Sequence, residues 1–556
     1  MSLTLIAAVV LLLFGAGYAG YSRLLSRRLD LNDSNPTPAC TMTDGVDFVP
    51  AKAPFLLGQH FSAIAAAGPI VGPILAGLYF GWLPTLAWIV LGAIFIGAVH
   101  DFSSLVGSVR HGANSVAQIV QRYIGRRAYG LFLAFIWLSL VYVITAFLDL
   151  TSSSFAEAEH GGAVATSSIL YLGLAVLMGI GMTRFKISLK AATPVFLLLV
   201  GLVIWMGPSI PIRLPAIAGI KPVLLWDGIL LGYCFLASIL PIWLLLQPRG
   251  YLGGAFLYIS LIFGLVGLAL GGVRVQYPAF IGFTSTRGMP LFPMLFVTVA
   301  CGACSGFHGL VCSGTTSKQV AKEGDCRPVG YGGMLLEGLV ALVALSTVMM
   351  LSPGDPATKL SPDRIYAQGL ASFVQQFGIK PSLATAFVLL AFATFIFDTL
   401  DVATRLGRYI LQELFGWQGR WGRSAATLAT LALPAWFVTV TATDAAGKVI
   451  PAWQVFWTVF GTSNQLLAAL TLLGLSIWLK KSGKPYGYAA IPGVFMMGMT
   501  LWALGTLLKG WFEKFSAGMG AVLDPVGVAS LLLMGLALTL LAEGLKIFRI
   551  QPSPEI

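Results

Sequence analysis

The sequence predicts an all-α polytopic membrane protein, and three observations lead to that fold class. Of its 556 residues, 57% are hydrophobic and 10% are charged, whereas soluble domains average roughly 45–50% and about 25%. The apolar residues form runs of about 18 or more, which is typical of helical bundles and not of membrane barrels. The formal net charge of +12 comes from Lys and Arg in the links between these runs, where they determine topology. Disorder, nucleic-acid binding and a secreted disulfide scaffold are therefore excluded.

The apolar runs define about fifteen predicted membrane spans. Their limits are residues 2–22, 58–80, 83–107, 128–150, 163–182, 191–209, 223–246, 251–272, 291–316, 330–351, 381–403, 424–440, 451–479, 486–510 and 523–545. Arg23, Arg27 and Arg28 follow the first span and no basic residue precedes it, which places its N-terminus outside. Alternation through the spans then puts Met1 outside the cell and Ile556 in the cytoplasm.

Two links between spans carry predicted surface helices. Residues 114–127 place Val116, Ile119 and Val120 on one face, which predicts an amphipathic helix on the cytoplasmic surface. Residues 363–377 predict a similar short helix on the outer side, where it would cap a vestibule.

The second span is predicted to be broken in the middle. Gly68, Pro69, Gly72 and Pro73 fall within six residues, and each Pro removes a backbone donor and clashes with the preceding turn. An unwound backbone survives in lipid only where protein or a water-filled cavity satisfies it. The break therefore predicts a substrate site near the membrane midplane, and Leu in place of Gly72 is expected to abolish binding more than folding.

A second break is predicted in the seventh span, at residues 238–241 (SILP). The two broken spans are five apart in order, so they would cross the membrane in opposite senses. This arrangement indicates an inverted-topology repeat of spans two to six against spans seven to eleven. A simple proline kink is the alternative. The predicted organisation is an anchor helix and link (1–54), an inverted-repeat core (55–410) and a four-helix C-terminal extension (411–556).

Polar residues at membrane depth are few, and they are candidates for substrate binding. The predicted substrate-binding residues are Gln59, His60, Ser62, Gly68, Pro69, Gly72, Ser238, Ser305 and His308. Most of them flank the predicted breaks, where half-helix N-termini carry a positive dipole end that suits a substrate carboxylate.

Residues 301–318 (CGACSGFHGLVCSGTTSK) are unusually polar and glycine-rich for a span. Cys301 and Cys312 would lie about 16 Å apart on a continuous helix, too far to share one metal ion, so no metal site is predicted. Close helix packing by the glycines is favoured instead. If the coupling ion were sodium, the hydroxyls of Ser313, Thr315 and Thr316 would be its ligands.

Three groups are candidates for proton coupling, ranked Asp398, Asp101 and His308. Asp401 and Arg405 lie four residues apart, so they are expected to pair across one helical turn. Asp398 would have no cation of its own, and burial then favours uptake of a proton. The imidazole of His308 titrates near neutrality with little perturbation.

The sequence holds no GxxxxGK[ST] nucleotide-binding motif and no serine, cysteine or HExxH catalytic motif in a suitable context. Primary pumping and enzymatic activity are therefore unsupported, and no cofactor is expected.

Five segments resemble the hallmark segments of the carbon starvation protein A family. They are GQHFSAIAAAGPIVGPILA, FGWLPTLAWIVLGAIFIGAVHDFSSLVGSVRHG, CGACSGFHGLVCSGTTSKQ, DTLDVATRLGRYILQ and FGTSNQLLAALTL, spread over about residues 55–480 in the expected order. The resemblance implies a bacterial inner-membrane carrier for peptides or pyruvate, driven by protons, with the leucine-transporter fold.

The predicted function is secondary active import of a small anionic or zwitterionic nutrient, peptide or pyruvate-like, coupled to protons. The expected partners are that small molecule, the proton and the lipid bilayer. Two alternatives stay open: a sodium-coupled carrier, and a membrane sensor that binds the nutrient without moving it. A sensor normally needs a signalling module, and the link at residues 23–54 is too short to form one.

Overall fold

The computed structural model describes residues 2–44, 48–241, 243–270, 272–285, 288–440, 442–443, 449–517 and 524–549. Met1 and Ile556, which the predicted topology places on opposite sides of the membrane, lie outside these residues. The described chain is almost entirely helical, as the apolar runs predict.

The first half of the chain forms eleven α-helices. They are α1 Leu3–Ala16, α2 Ser22–Arg28, α3 Pro38–Thr41, α4 Ala53–Ile64, α5 Gly68–Phe80, α6 Trp82–Gly92, α7 Ala98–Arg110, α8 Val116–Tyr123, α9 Arg126–Phe155, α10 Gly161–Arg184 and α11 Leu189–Met206. Single π-helical turns, Gly17–Tyr21 and Ala93–Gly97, join α1 to α2 and α6 to α7, so each pair forms one continuous span.

The described residues of the second half form eleven more α-helices and a short hairpin. They are α12 Pro222–Ile239, α13 Leu246–Leu270, α14 Leu291–Thr298, α15 Gly306–Gly314, α16 Gly332–Met349, α17 Pro362–Gln375, α18 Pro381–Phe415, α19 Gly419–Phe437, α20 Ala452–Lys481, α21 Gly487–Ser516, α22 Pro525–Arg549, and the antiparallel strands β1 Ala442–Thr443 and β2 Val449–Ile450.

Local sequence explains where several helices begin. Ser115 and Ser188 cap α8 and α11 by accepting hydrogen bonds from backbone N–H groups three residues on. Pro222, Pro362 and Pro381 occupy the first turns of α12, α17 and α18, where a residue without an N–H costs no helical hydrogen bond.

Within the described residues, twelve helices are long and apolar enough to cross a membrane, or thirteen if α4 and α5 count as one bent span. The predicted number of about fifteen is larger. The two further predicted spans correspond to the short helices α14 and α15 and to α19, which do not meet the same length and hydropathy criteria.

The chain divides into two compact units. Unit 1 comprises Met1–Ile136, Val275–Leu345 and Gly461–Ile556, and unit 2 comprises Trp137–Arg274 and Ser346–Phe460. Unit 1 draws on all three segments into which the sequence was divided, and that division stays a prediction.

The prediction of a break within a helix at residues 238–241 is wrong, because the helix ends at this segment. α12 stops at Ile239 and Leu240 is extended, with φ −67° and ψ 151°, as expected for a residue that precedes a proline. The next helix, α13, begins at Leu246. Pro241 therefore separates two helices and does not interrupt one.

The two predicted surface helices are present but shorter than expected. Helix α8 buries the predicted face, with Val116, Ile119 and Val120 all at most 3% exposed. It ends at Tyr123 because Gly125 turns the backbone to a φ of +136°, a conformation that only glycine adopts freely. Helix α17 covers Pro362–Gln375.

An ion pair fixes the link between α9 and α10 to helix α17. The carboxylate of Glu157 lies 2.6 Å from Nη1 of Arg364 and accepts a hydrogen bond from the backbone N–H of His160 at 2.7 Å. Burial alone would raise the pKa of Glu157, but the N–H groups of His160 and Glu159 and the guanidinium of Arg364 hold the pKa below its ordinary value. The ionised form therefore stabilises the fold.

Glu157→Gln is expected to lower the Tm of the detergent-solubilised protein at pH 7, by an amount equivalent to about 0.2–1 kcal/mol. Because the pKa of Glu157 is lowered on folding, its contribution is complete above the unfolded-state pKa and is lost as the pH falls through the folded-state pKa. The two melting curves should therefore converge in acid. A difference that is independent of pH would contradict this reading. Glu159, whose side chain is 68% exposed, provides a control as Glu159→Gln, with a smaller effect.

Candidate functional site

The first broken helix lies in unit 1 and is formed by α4 and α5, whose axes differ by 52°. Residues 65–67 between them are not helical, and Ala65 has φ −80° and ψ 83°. Pro69 falls in the first turn of α5 and Pro73 in the second. The prediction of a broken second span is confirmed, with the break just before the glycine and proline cluster.

The second broken helix is α14 and α15, which residues 299–305 separate. It packs directly against the first. A Cβ atom on Gly68 would collide with Sγ of Cys301, and one on Gly72 would lie 2.6 Å from the carbonyl oxygen of Thr298. The partner of the first break is therefore the glycine-rich segment 301–318 and not the segment at 238–241.

Asn464 of α20 stabilises the conformation of the second break by hydrogen bonds. Its Oδ1 accepts the backbone N–H of Phe307 at 2.9 Å, in the first turn of α15. Its Nδ2 donates to Oγ of Ser305 at 3.0 Å and to Sγ of Cys301 at 3.4 Å. One amide thus satisfies polar groups within the unwound backbone and in the first turn of α15, as a break at membrane depth requires.

The close packing at Gly72 leads to a prediction about folding. Gly72→Leu should reduce the yield of monodisperse protein sharply, because backbone atoms of Thr298 cannot move aside, and overpacking costs about 1–3 kcal/mol or more. From the sequence, Gly72→Leu was expected to abolish binding more than folding. Gly15→Leu is the matched control, since nothing lies within 4 Å of a Cβ at that position. Equal yields and melting temperatures for the two variants would contradict the prediction.

A chain of buried acids and imidazoles lies beside the second break. His308 of α15 places Nδ1 2.8 Å from Oδ2 of Asp101 on α7, and its Nε2 lies 3.0 Å from Oε2 of Glu337 on α16. The other oxygen of Asp101 lies 2.8 Å from Nδ1 of His100. All four side chains are fully buried. We call Asp101, His308 and Glu337 the acid–imidazole chain.

The acid–imidazole chain has the chemistry of a shared proton site. A neutral imidazole carries one N–H, so His308 can donate to only one of its two carboxylates at a time, whereas the protonated ring donates to both. Protonation therefore changes the contacts that α15 makes with α7 and with α16. Groups this close exchange protons as a unit and not one by one.

His60 forms a second layer, one helical turn along from the acid–imidazole chain. Its Nδ1 lies 2.9 Å from Oγ1 of Thr316 and its Nε2 lies 4.0 Å from Sγ of Cys312. A Cβ on Gly333 would lie 2.9 Å from its ring. Cys312 follows His308 by four residues on α15, and Gly333 precedes Glu337 by four residues on α16. Both layers therefore use the same faces of α15 and α16.

The remaining predicted substrate residues are divided between the two units. Gln59 is exposed and Ser62 is buried on α4, next to the first break. Ser238 lies in unit 2, where its Oγ is 3.2 Å from Oγ1 of Thr427. The residues that surround the two breaks within unit 1 are therefore His60, Gly68, Pro69, Gly72, Ser305 and His308.

The prediction that Asp398 lacks a cation is wrong. Arg249 of α13 is fully buried in unit 2 and donates to Oδ1 of Asp398 from Nε at 2.9 Å and from Nη2 at 2.6 Å. Its Nη1 pairs with Asp401 and donates to the hydroxyl of Tyr233 at 2.6 Å. Gly253 makes room for this contact, since its Cβ would lie 2.6 Å from Oδ2 of Asp398.

The expected pair of Asp401 with Arg405 is also wrong. Arg405 donates to the carbonyl oxygens of Ala237 at 2.6 Å and Leu240 at 2.9 Å, and Arg408 donates to that of Ser238 at 2.6 Å. The last carbonyls of a helix have no partner within it. Both arginines therefore cap the C-terminus of α12.

The three hydroxyls expected to bind sodium have separate local partners. Ser313 and Thr315 donate to carbonyl oxygens of their own helix at 2.6 and 3.0 Å, while Thr316 contacts His60. The sodium site stays a prediction that no observation here favours.

Three residues of these clusters were missed by the sequence argument: Glu337, Asn464 and Arg249. Glu337 is one of the few acids at membrane depth, which is the signal that could have identified it, but its spacing gives no indication of its partner. Asn464 lies in the FGTSNQLL segment, whose polar run inside a span is the signal that could have identified it. Arg249 was assigned to a surface link, because basic residues near span ends usually determine topology.

Comparison with known proteins identifies the chain's relatives. The family described as Carbon starvation protein CstA matches residues 1–358 and 355–503. The chain is 33% identical to the peptide transporter CstA of Helicobacter pylori strain J99, over 88% of this chain and 80% of that protein. It is 30% identical to the pyruvate/proton symporter BtsT of Escherichia coli K12, over 88% and 80%.

The fold is similar to that of a solved transporter with a very different sequence. A manganese transporter of Eremococcus coleocola superposes with a TM-score of 0.52 at 13% identity, over 91% of this chain and 98% of that one. The architecture is a leucine-transporter-like inverted repeat with broken helices, and the protein is a secondary active transporter. From the family match and these identities, the chain belongs to the carbon starvation protein CstA family.

Proposed function

We propose that the protein imports a small anionic or zwitterionic nutrient, peptide or pyruvate-like, across the bacterial inner membrane together with a proton. The proton is carried by the acid–imidazole chain of Asp101, His308 and Glu337. Of the predicted coupling groups, this assignment keeps Asp101 and His308, adds Glu337 and omits Asp398.

The observation that carries the proposal is the position of His308 between two buried carboxylates. Two ionised carboxylates and one neutral imidazole would leave two uncompensated charges away from water, which is costly at membrane depth. Taking up a proton reduces that charge and lets the ring bind both acids. Losing it frees one contact of α15, the second half of the broken helix.

The substrate region of the proposal lies where the two broken helices meet. Helices α5 and α15 both begin there, and helix N-termini favour a negatively charged group such as a carboxylate. His308 follows the start of α15 by two residues, so a change in its protonation acts next to that region. Gly68, Pro69, Gly72 and Ser305 are the proposed binding residues of unit 1.

The relatives support both substrate classes and the proton. One curated relative is named a peptide transporter and another a pyruvate/proton symporter, and each has about the same identity to this chain. The orientation with the N-terminus outside and the C-terminus in the cytoplasm is part of the proposal and depends on the distribution of basic residues.

Uptake into proteoliposomes tests the proposal. Purified protein is reconstituted, a pH gradient that is acid outside is imposed, and labelled pyruvate and a labelled dipeptide are offered side by side. Accumulation of either above its equilibrium level, abolished by a protonophore, is the expected result. The matched control is the same vesicle without a gradient, which should exchange substrate but not accumulate it.

Two results would overturn the proposal. Accumulation that requires sodium at constant pH would replace the proton by sodium. Saturable binding without any uptake or exchange would favour the sensor. Because binding and transport are measured on one preparation, the outcomes are distinguishable.

A further inference from the structure

Asp227 is a buried carboxyl group that the proposed transport scheme does not use. It lies on α12 in unit 2 and is 1% exposed. In the described part of the chain, neither of its oxygens accepts a hydrogen bond of normal geometry. An ionised carboxylate with no cation and no well-formed hydrogen bond is strongly disfavoured away from water, so the charge at this position needs an explanation.

Helix α9 supplies the groups that face Asp227. The rings of Trp226 and Phe155 meet edge to face with centroids 5.2 Å apart, which brings this part of α9 against α12. Asp149, Ser152 and Phe155 follow one another at steps of three residues and so share a face of α9. Asp149 and Ser152 therefore face Asp227 from α9, Asp149 with a carboxyl group and Ser152 with a hydroxyl group, and both are buried.

The two carboxyl groups differ in their hydrogen-bond donors. Oδ2 of Asp149 accepts the backbone N–H of Trp453 at 2.7 Å, and Trp453 is the second residue of the 30-residue helix α20. A helix N-terminus and a backbone N–H both stabilise a negative charge. Asp227 has neither, so of the pair Asp149 is the group suited to be ionised.

Within the described parts of the chain, the two carboxyl groups have no cation as a partner. Among the described residues, no lysine, arginine or histidine lies within 4.0 Å of either carboxylate. The charged groups on the other helices that pack against α12 lie near its C-terminal end, away from Asp227. On α18, Asp401 contacts Tyr233 and Arg405 reaches Ala237. On α19, Thr427 lies beside Ser238, and Arg423 lies one turn before Thr427.

We propose that Asp227 and Asp149 form a second proton-binding site, in unit 2, with the proton on Asp227 and the negative charge on Asp149. The protonated carboxyl group of Asp227 then becomes a donor, for which Ser152 and Asp149 are the facing acceptors. The site then buries one negative charge instead of two, and the N-terminus of α20 stabilises that charge on Asp149. The site is separate from the acid–imidazole chain and its existence does not depend on transport.

Infrared difference spectroscopy of the full-length protein in lipid tests the proposal. A protonated carboxyl group gives a C=O stretching band that disappears on ionisation. We expect Asp227→Asn to remove one such band from the spectrum at neutral pH, whereas Asp149→Asn should retain it. Removing the neighbouring negative charge should also make Asp227 lose its proton at a lower pH in Asp149→Asn than in the wild-type protein.

The controls decide between a proton and other occupants. A wild-type spectrum identical to that of Asp227→Asn would overturn the proposal, as would a band that appears only when sodium is replaced by choline. If Asp227→Asn does not fold, Asp227→Glu is measured instead, and a band at an unchanged position overturns the proposal. A protein inactive in uptake still reports on this band, so failure of the proposed function remains distinguishable.

Discussion

Asp101→Asn is expected to abolish accumulation driven by a pH gradient while leaving exchange of substrate across the membrane largely intact. Asparagine keeps the size of the aspartate but cannot be ionised, so His308 loses the carboxylate on Nδ1. Glu337 is then the one carboxylate of the chain, and the second negative charge that favours proton uptake is gone. A gradient of about one pH unit supplies about 1.4 kcal/mol per proton, which supports about tenfold accumulation when uptake carries no net charge. The variant should fall to a ratio of about one.

Two further variants make this prediction specific. Glu337→Gln should behave like Asp101→Asn, because Glu337 is the carboxylate on the other ring nitrogen. Asp398→Asn should still accumulate substrate, because Arg249 and Asp401 remain a balanced pair. The sequence ranking expected the opposite result for Asp398. Loss of accumulation in Asp398→Asn together with normal accumulation in Asp101→Asn would refute the structural assignment.

Arg249→Met should be the most destabilising of the substitutions considered. Arg249 is fully buried and pairs with both Asp398 and Asp401. Removing one partner of a buried ion pair costs about 3–5 kcal/mol, because it leaves a charge without compensation. The protein should therefore be recovered in low yield, with a strongly reduced Tm.

The matched experiments test whether charge is the cause. Arg249→Met combined with Asp398→Asn and Asp401→Asn removes all three charges and should recover much of the lost stability. Arg127→Met, at a side chain that is 76% exposed, should have little effect. If the triple variant is as unstable as the single one, packing of Arg249 and not its charge holds this part of unit 2 together.

Features that depend on local sequence were predictable. Apolar runs locate membrane helices because lipid selects residues by length and polarity alone. The first break was found because two prolines and two glycines each act within a turn. The apolar face of α8 was found in the same way, because the 3.6-residue period determines which side chains share a face.

Features that depend on contacts between residues distant in sequence were not predictable. Asp398 was ranked first because no cation lies within a turn of it, yet Arg249 lies 149 residues away in sequence. The partner of the first break was assigned to Pro241 because proline is the strongest local signal. The actual break, at residues 299–305, is stabilised instead by Asn464, 159 residues after Ser305. Periodicity and spacing carry no information about such contacts.

In the proposed scheme, the proton on the acid–imidazole chain also determines the electrical behaviour of transport. One proton that enters with a pyruvate-like monoanion moves no net charge, so the membrane potential does not act on that step. One proton that enters with a zwitterionic dipeptide moves one positive charge, and about 100 mV, negative inside, adds about 2.3 kcal/mol to its uptake. If the proton on Asp227 also moved in each cycle, each case would gain one further charge. With one proton in each cycle, the same binding site is driven by voltage for the zwitterion and by concentration and pH alone for the monoanion.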